Sequence, residues 1–576
     1  MKAINSKVQN SCYVAHVVRI LAGTTIASVL ILAIPGCGYN TVEQQSADFI
    51  KAHIEAVKPL IKESNLAYWE AANSGKAEDY DKVSALELKV RQIYSDQEEY
   101  TLVKGLKESG KVKDRLLARQ VEGLYNSYLE DQIEPELLKK IVDLSNEIQK
   151  NFSTHRATIG GENVTDNQIK EILKTETDSE KRKEAWLASK QVGKIVAEDL
   201  IRLVKLRNEA ARKVGFDNFH TLSLTTSEQK VEDLDRILGE LEELTNVPFA
   251  ELKAELDSRL ADLYEVKVEH LAPWHYHDPF FQETPLVYDL DLDTYYQNQD
   301  VKDLAVAYFA DIGLPVESII ASSDLYEREG KNPHAFCTNI DREGDVRILC
   351  NLQNNESWME TMLHELGHAV YGKFNDPDVP FILRTPAHIF TTEAIAMFFG
   401  RLSRNAVWMQ AMLGLSDQQQ AEIKEVSSKY SQLKQLIFAR WDLVMYNFEK
   451  QLYANPDQDL DALWWEMVEK YQLVKKPEGR AAPDWAAKIH FAIAPCYYHN
   501  YLLGELLASQ LHHHLVSKVL GLEVGQNVGY VVESDIGVFL RKNVFEPGAV
   551  YHWNEMIERA TGEPLTPKYF VDEFVH

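Results

Sequence analysis

The segment His364-Glu365-Leu366-Gly367-His368 constrains this chain more than any other. Two histidines four residues apart project from one side of an α-helix, one turn from each other. Their imidazole nitrogens can then reach a single tetrahedral zinc at about 2.0 to 2.1 Å. The flanking residues favour the same conformation: Trp358, Met359, Met362, Leu363, Leu366, Ala369 and Val370 recur at helical spacing and predict an apolar-faced helix from Asn355 to Phe374. Glu365 stands beside the two ligands, placed to move a proton. Gly367 costs about 1 kcal/mol relative to alanine inside a helix, which predicts a neighbouring backbone pressed against it. The plainer alternative is a pair of hydrogen-bonded core histidines.

A catalytic zinc needs a third protein ligand and an open fourth position. The stretch Thr391-Thr-Glu-Ala-Ile-Ala-Met-Phe-Phe399 offers Glu393, whose helical neighbours Phe390, Ala396 and Met397 are apolar. An unpaired carboxylate on that side would be costly, so a cation is expected there. Further on, Lys488-Ile-His-Phe-Ala-Ile-Ala-Pro495 reads as an extended stretch that turns Lys488 and His490 the same way. Pro495 then opens a helix on which Tyr498, Tyr501 and Glu505 share a side. A phenol and an imidazole converging on one point can stabilise an oxyanion, although a tyrosine stripe taken alone is more often core packing. The tract His512-His-His514 reads as solvated surface, because adjacent helical residues do not face one another.

Elsewhere helix follows helix. From residue 46, Ile50, Ile54, Val57 and Ile61 repeat at helical spacing, and Thr165 with Gln168 forms a capping-box signature. Asn73-Ser-Gly75, Ser109-Gly110 and Gly160-Gly161 punctuate this half, and an aromatic, proline-bearing loop at 274–285 interrupts it. One hairpin is expected, from 334–340 and 346–350 around Asp341-Arg-Glu-Gly-Asp345. If Asp341 pairs with Val346, Cys337 lies directly opposite Cys350, within disulfide range; two packed thiols are the alternative. No repeat, linker or charge block divides the chain, so a single mostly α domain is expected over 41–576.

Lysine and arginine total 61 against 88 for aspartate and glutamate, a net charge of -27 that excludes partners held by their phosphates, nucleic acid above all. Residues 1–36 carry Lys2, Lys7 and Arg19 but no acid, then an apolar run over 26–34 and Pro35-Gly36-Cys37. This is signal-peptide architecture, and the cysteine resembles a bacterial lipoprotein cleavage site at which the Cys37 thiol is lipidated. Ordinary secretory cleavage or a retained anchor are the other readings. The expectation is export to the cell envelope, with the membrane touched only through an N-terminal lipid anchor.

With these motifs the chain resembles the angiotensin-converting-enzyme family of zinc peptidyl-dipeptidases, with the thimet oligopeptidase family as a close cousin; the specific part runs from about residue 274 to 505. The resemblance implies a mostly helical, two-lobed gluzincin metallopeptidase whose deep central cleft, with a small hairpin beside the zinc helix, admits short peptides. It implies zinc held by His364, His368 and Glu393, with Glu365 as general base and then proton donor. His490 and Tyr501 fit the pair that stabilises the tetrahedral intermediate. Lys488 and Tyr498 fall where the family holds a substrate's C-terminal carboxylate, and His334 and Ala335 on the strand that grips its backbone by β-addition. Cys350 sits at one half of a family disulfide, while Cys337 is displaced from the usual partner position. Three positions depart. The glutamine expected just after Trp274 is Tyr276, the arginine used for chloride in the animal enzymes is Asn500, and the aspartate four residues after the glutamate ligand is Met397. Strong chloride activation through Asn500 is therefore not expected. Release of C-terminal dipeptides and internal cleavage of the thimet type both stay open, as does the oligomeric state, with a non-catalytic peptide-binding lipoprotein as a third reading.

Overall fold

The structure is a computed structural model that describes residues 41–285, 287, 291–523, 525 and 527–575; the leader and Cys37 lie outside the described residues. The chain is mostly α-helical, and the helices that matter below are α1 (Thr41–Ser74), α2 (Val231–Leu263), α3 (Glu356–Lys373), α4 (Ile389–Gly400), α5 (Asp417–Ala454), α6 (Leu460–Gln472) and α7 (His499–His514). The described residues form two small antiparallel sheets, β1 (Ala157–Ile159) with β2 (Glu162–Val164) and β3 (Phe336–Asn339) with β4 (Val346–Leu349). No described helix is long and apolar enough to cross a membrane.

Local chemistry accounts for the helix ends that could be read. The Thr165 hydroxyl accepts from the Gln168 backbone N–H while the Gln168 side chain accepts from the Thr165 N–H, so the capping box forms. In α1 the periodic residues Ile50 and Val57 are buried, with His53 on the same side.

The centre of the molecule is a stack of α3, α4 and α7. On α4 almost every side chain is buried, Phe390, Ile395 and Phe399 completely, as befits a helix that is apolar all round. Each such side chain contributes about 1.5 to 3 kcal/mol by leaving water. Two glycines set the spacing. A Cβ on Gly367 of α3 would lie 2.7 Å from the Cα of Ala396, and one on Gly504 of α7 would lie 3.2 Å from the Cβ of Glu393. The close approach expected at Gly367 is therefore present, and α4 is the backbone that makes it.

The hairpin forms with a different register. Asn339 pairs with Val346 and Cys337 with Ile348, leaving a six-residue connection over 340–345. Asp341 causes the shift: its carboxylate accepts the backbone N–H groups of Glu343 (2.9 Å) and Asp345 (3.2 Å), while Arg342 and Gly344 take positive φ. That turn absorbs Asp341 instead of offering it to Val346. Cys337 and Cys350 thus become diagonal neighbours, a relation of about 7 to 8 Å, and both are free thiols, so the expected disulfide is not formed.

Candidate metal centre

Asn355 opens α3 by accepting the backbone N–H of Trp358 at 2.9 Å, and the helix carries His364 and His368 with ring centroids 4.9 Å apart. The second turn of α4 brings Glu393 across from them. Its Oε2 lies 3.8 Å from Nε2 of His364 and 3.8 Å from Nε2 of His368, and the three ligand atoms all fall within 4.8 Å of one another. Bonds of about 2.0 to 2.1 Å to one tetrahedral ion require ligand separations of about 3.4 Å, a small contraction from this geometry.

The donor set fits a dication on a second count. His364 Nε2, Glu393 Oε2 and Glu365 Oε2 are buried and have no hydrogen-bond partner. Burial pushes Glu365 up to about 8, helped by the charge of Glu393, and burial likewise pushes Glu393 up to about 8. Burial also holds His368 down to about 4 and His364 well below its ordinary value, which keeps both imidazoles in the neutral ligand form. Two buried carboxylates beside two neutral imidazoles lack positive charge, and a divalent cation between them supplies it.

The group that orients His368 is Thr392: its Oγ1 lies 2.8 Å from Nδ1, leaving Nε2 for the metal. Met397, at the position of the missing aspartate, packs instead near Gly504. Nothing in the spacing singles out Thr392, because a hydroxyl next to a ligand carries no periodic signal.

The extended reading of 488–493 is corrected. Lys488 follows a 3₁₀ turn at Asp484–Ala487, and His490–Ile493 is a single helical turn. Pro495 does not open a helix either. Cys496 adopts φ 54° with its N–H donated to Glu449 Oε1 at 2.9 Å, and α7 starts only at His499 with Tyr498 as its N-cap. The groups still converge: ring centroids are 5.2 Å apart for His490 and Tyr498 and 5.5 Å for Tyr498 and Tyr501. Both ring nitrogens of His490 and the hydroxyl of Tyr501 are buried without a hydrogen-bond partner. Beyond them, His512, His513 and His514 are not solvated surface. His512 bonds the Tyr530 hydroxyl, His513 stacks on Tyr569 at 4.2 Å and His514 bonds the Thr561 carbonyl, three separate partners.

Lys488 reveals a residue that the sequence reading missed. Its ammonium donates to Gln282 Oε1 at 2.6 Å and lies about equally far from the rings of Trp441 (4.9 Å), Tyr498 (5.1 Å) and Phe280 (5.4 Å). Trp441 Nε1 donates to the Tyr498 hydroxyl at 2.8 Å, and burial holds Lys488 down to about 7. Tyr276 is elsewhere: its hydroxyl bonds Asp257 and Lys253, so the amide beside Lys488 comes from Gln282. His334 and Ala335 stand just ahead of β3. Because β4 bridges Asp324 on its far side, the outer edge of β3 has no strand partner among the described residues. Asn500 accepts from Gln229 Nε2 at 2.9 Å, an uncharged pair.

Residues 40–275 match the sequence profile described as angiotensin-converting enzyme, and residues 319–576 match that of peptidase family M3. Over 141 residues the chain is 26% identical to thermostable carboxypeptidase 1 of Pyrococcus furiosus, a match spanning 23% of this chain and 28% of that protein. Residues 276–318, with Gln282 among them, fall in neither match, and His364, His368 and Glu393 fall within the second. The chain is therefore similar to the angiotensin-converting-enzyme family over its first half and to peptidase family M3 over its second, and both likenesses support a metallopeptidase.

Proposed function

We propose that this protein is a zinc peptidase that removes dipeptides from the C-termini of short peptides, exported and tethered to the cell envelope through Cys37. The observation that carries the chemistry is the set of buried, unpartnered polar atoms on His364, Glu365, Glu393, His490 and Tyr501. Bound zinc would polarise a peptide carbonyl and acidify water at this site. Glu365 takes a proton from the attacking water and returns it to the departing nitrogen. Tyr501 and His490 donate to the carbonyl oxygen as it gains negative charge. Lys488, Gln282 and Tyr498 favour the exopeptidase reading, because an ammonium, an amide and a phenol recognise a terminal carboxylate.

The test is a set of peptide mixtures incubated with pure protein and read by mass spectrometry. Stepwise loss of C-terminal dipeptides supports the proposal, whereas internal cuts indifferent to a C-terminal amide favour the oligopeptidase reading. The match of 319–576 to family M3 is what keeps that second reading in view. Glu365→Gln should retain metal and lose turnover by about three orders of magnitude or more; full activity would remove the mechanism.

A further inference from the structure

Gln282 does not sit in a helix or strand, and the loop that presents it is built almost entirely from side-chain clamps. Asp278, 5% exposed, accepts three backbone N–H groups: Phe280 on Oδ1 at 2.8 Å, and Gln282 and Glu283 on Oδ2, both at 2.9 Å. The carbonyls are held from the other side. Lys190 Nζ (2.7 Å) and Trp186 Nε1 (3.1 Å) donate to that of Pro279, and Gln472 Nε2 donates to those of Phe280 (3.0 Å) and Phe281 (2.7 Å). Two non-glycine residues, His277 at φ 66° and Phe281 at φ 50°, hold left-handed backbone. Such conformations cost of order 1 to 3 kcal/mol each and persist only where surroundings over-determine them. A buried carboxylate, a buried lysine and a buried glutamine thus converge on a short loop that sets the Gln282 amide against Lys488.

We infer that Asp278 is a positioning residue for carboxylate recognition: by gathering the N–H groups of 280, 282 and 283 it fixes Gln282 beside Lys488, and so sets the affinity for peptides with a free C-terminus. This rests on the exopeptidase reading above. It assigns Asp278 no contact with substrate, only control over where Gln282 stands. Asparagine at 278 keeps the shape but can offer one acceptor oxygen, so it cannot bind all three N–H groups.

The zinc-loaded full-length enzyme is assayed with one peptide in two forms, C-terminal acid and C-terminal amide. For Asp278→Asn we expect KM on the acid to rise about tenfold with kcat changed less than about threefold, and the amide to be cleaved at the parent rate. Asp278→Glu should recover part of the loss. The double variant Asp278→Asn with Gln282→Ala should be no worse than Gln282→Ala alone, since both remove one interaction. Equal losses on acid and amide, or additive losses in the double variant, overturn the inference and leave Asp278 merely structural. If Asp278→Asn does not fold, Gln472→Ala, which releases the opposite side of the loop, must show the same acid-selective rise in KM. Lys488→Met separates the two claims. If it slows acid and amide equally, the exopeptidase reading falls and this inference with it. If its loss is confined to the acid and that of Asp278→Asn is not, only the positioning role fails.

Discussion

Thr392 Oγ1 lies 2.8 Å from Nδ1 of His368, and Thr392 is the residue immediately before Glu393, the carboxylate that faces both histidines. One turn of α4 therefore supplies both a ligand and the group that aims another ligand held on α3. Replacing Thr392 by valine keeps the volume and removes the hydroxyl. The expected result is metal affinity weakened about 10- to 100-fold, read by competition with a chromogenic chelator, with the helical content unchanged. Affinity equal to that of the parent would mean that packing alone orients His368.

Gly367→Ala tests the stack itself. The added methyl would meet Ala396 Cα at 2.7 Å, Ile395 O at 2.9 Å and Ala396 N at 3.0 Å, all backbone. No side chain can rotate away, so α3 and α4 must separate. Overpacking against fixed backbone costs about 3 kcal/mol or more, above the gain of about 1 kcal/mol in helix propensity. The melting temperature should fall, and zinc affinity with it, because His364 and His368 ride on one helix and Glu393 on the other. An unchanged melting temperature would show that the stack can open freely.

How much of this arrangement was readable depended on whether its cause was local. The helix of His364 and His368 was legible because both histidines, its apolar face and its cap all lie within 355–374, and the approach of Glu393 because its apolar neighbours made a lone charge costly. The departures have distant or non-periodic causes. The hairpin slipped because Asp341 bonds its own turn, which alternation of apolar residues does not encode. The helix at Pro495 failed because Cys496 is held left-handed by Glu449, forty-seven positions earlier. Gln282 was invisible because its loop is clamped by Lys190 and Gln472, which no spacing rule connects to it.

Tyr501→Phe isolates the oxyanion donor. The Tyr501 hydroxyl is buried and its neighbours are the rings of Tyr497 and Tyr498, which phenylalanine would still pack against. Stability should therefore hold, and KM should change little, while kcat falls about 10²- to 10³-fold as a donor acting in the transition state is removed. A parallel rise in KM with kcat preserved would instead assign Tyr501 to ground-state binding.

Mild acid should loosen the protein through histidines outside the candidate metal centre. His53 on α1 is 4% exposed, and its rings of contact are the phenols of Tyr128 at 3.1 Å from Nδ1 and Tyr94 at 3.3 Å from Nε2. Tyr128 donates its own proton to Glu99, so its oxygen accepts from Nδ1–H, and Nε2 is left to accept from Tyr94. This is a network built for the neutral ring. Burial holds His53 down to about 4, and burial, aided by Lys450, does the same to His220, against 6.5 for a free imidazole. Between those values the unfolded chain binds protons that the folded one refuses, so stability is full above about 6.5 and falls as pH drops toward 4. From pH 6.5 to 5, before most carboxylates titrate, each of these histidines removes up to about 2 kcal/mol. Denaturant melts across that window should show the decline, and His53→Asn, which cannot titrate, should remove close to one proton from its slope. A parent and variant with the same slope would mean that His53 binds its proton equally well in the folded and unfolded chains.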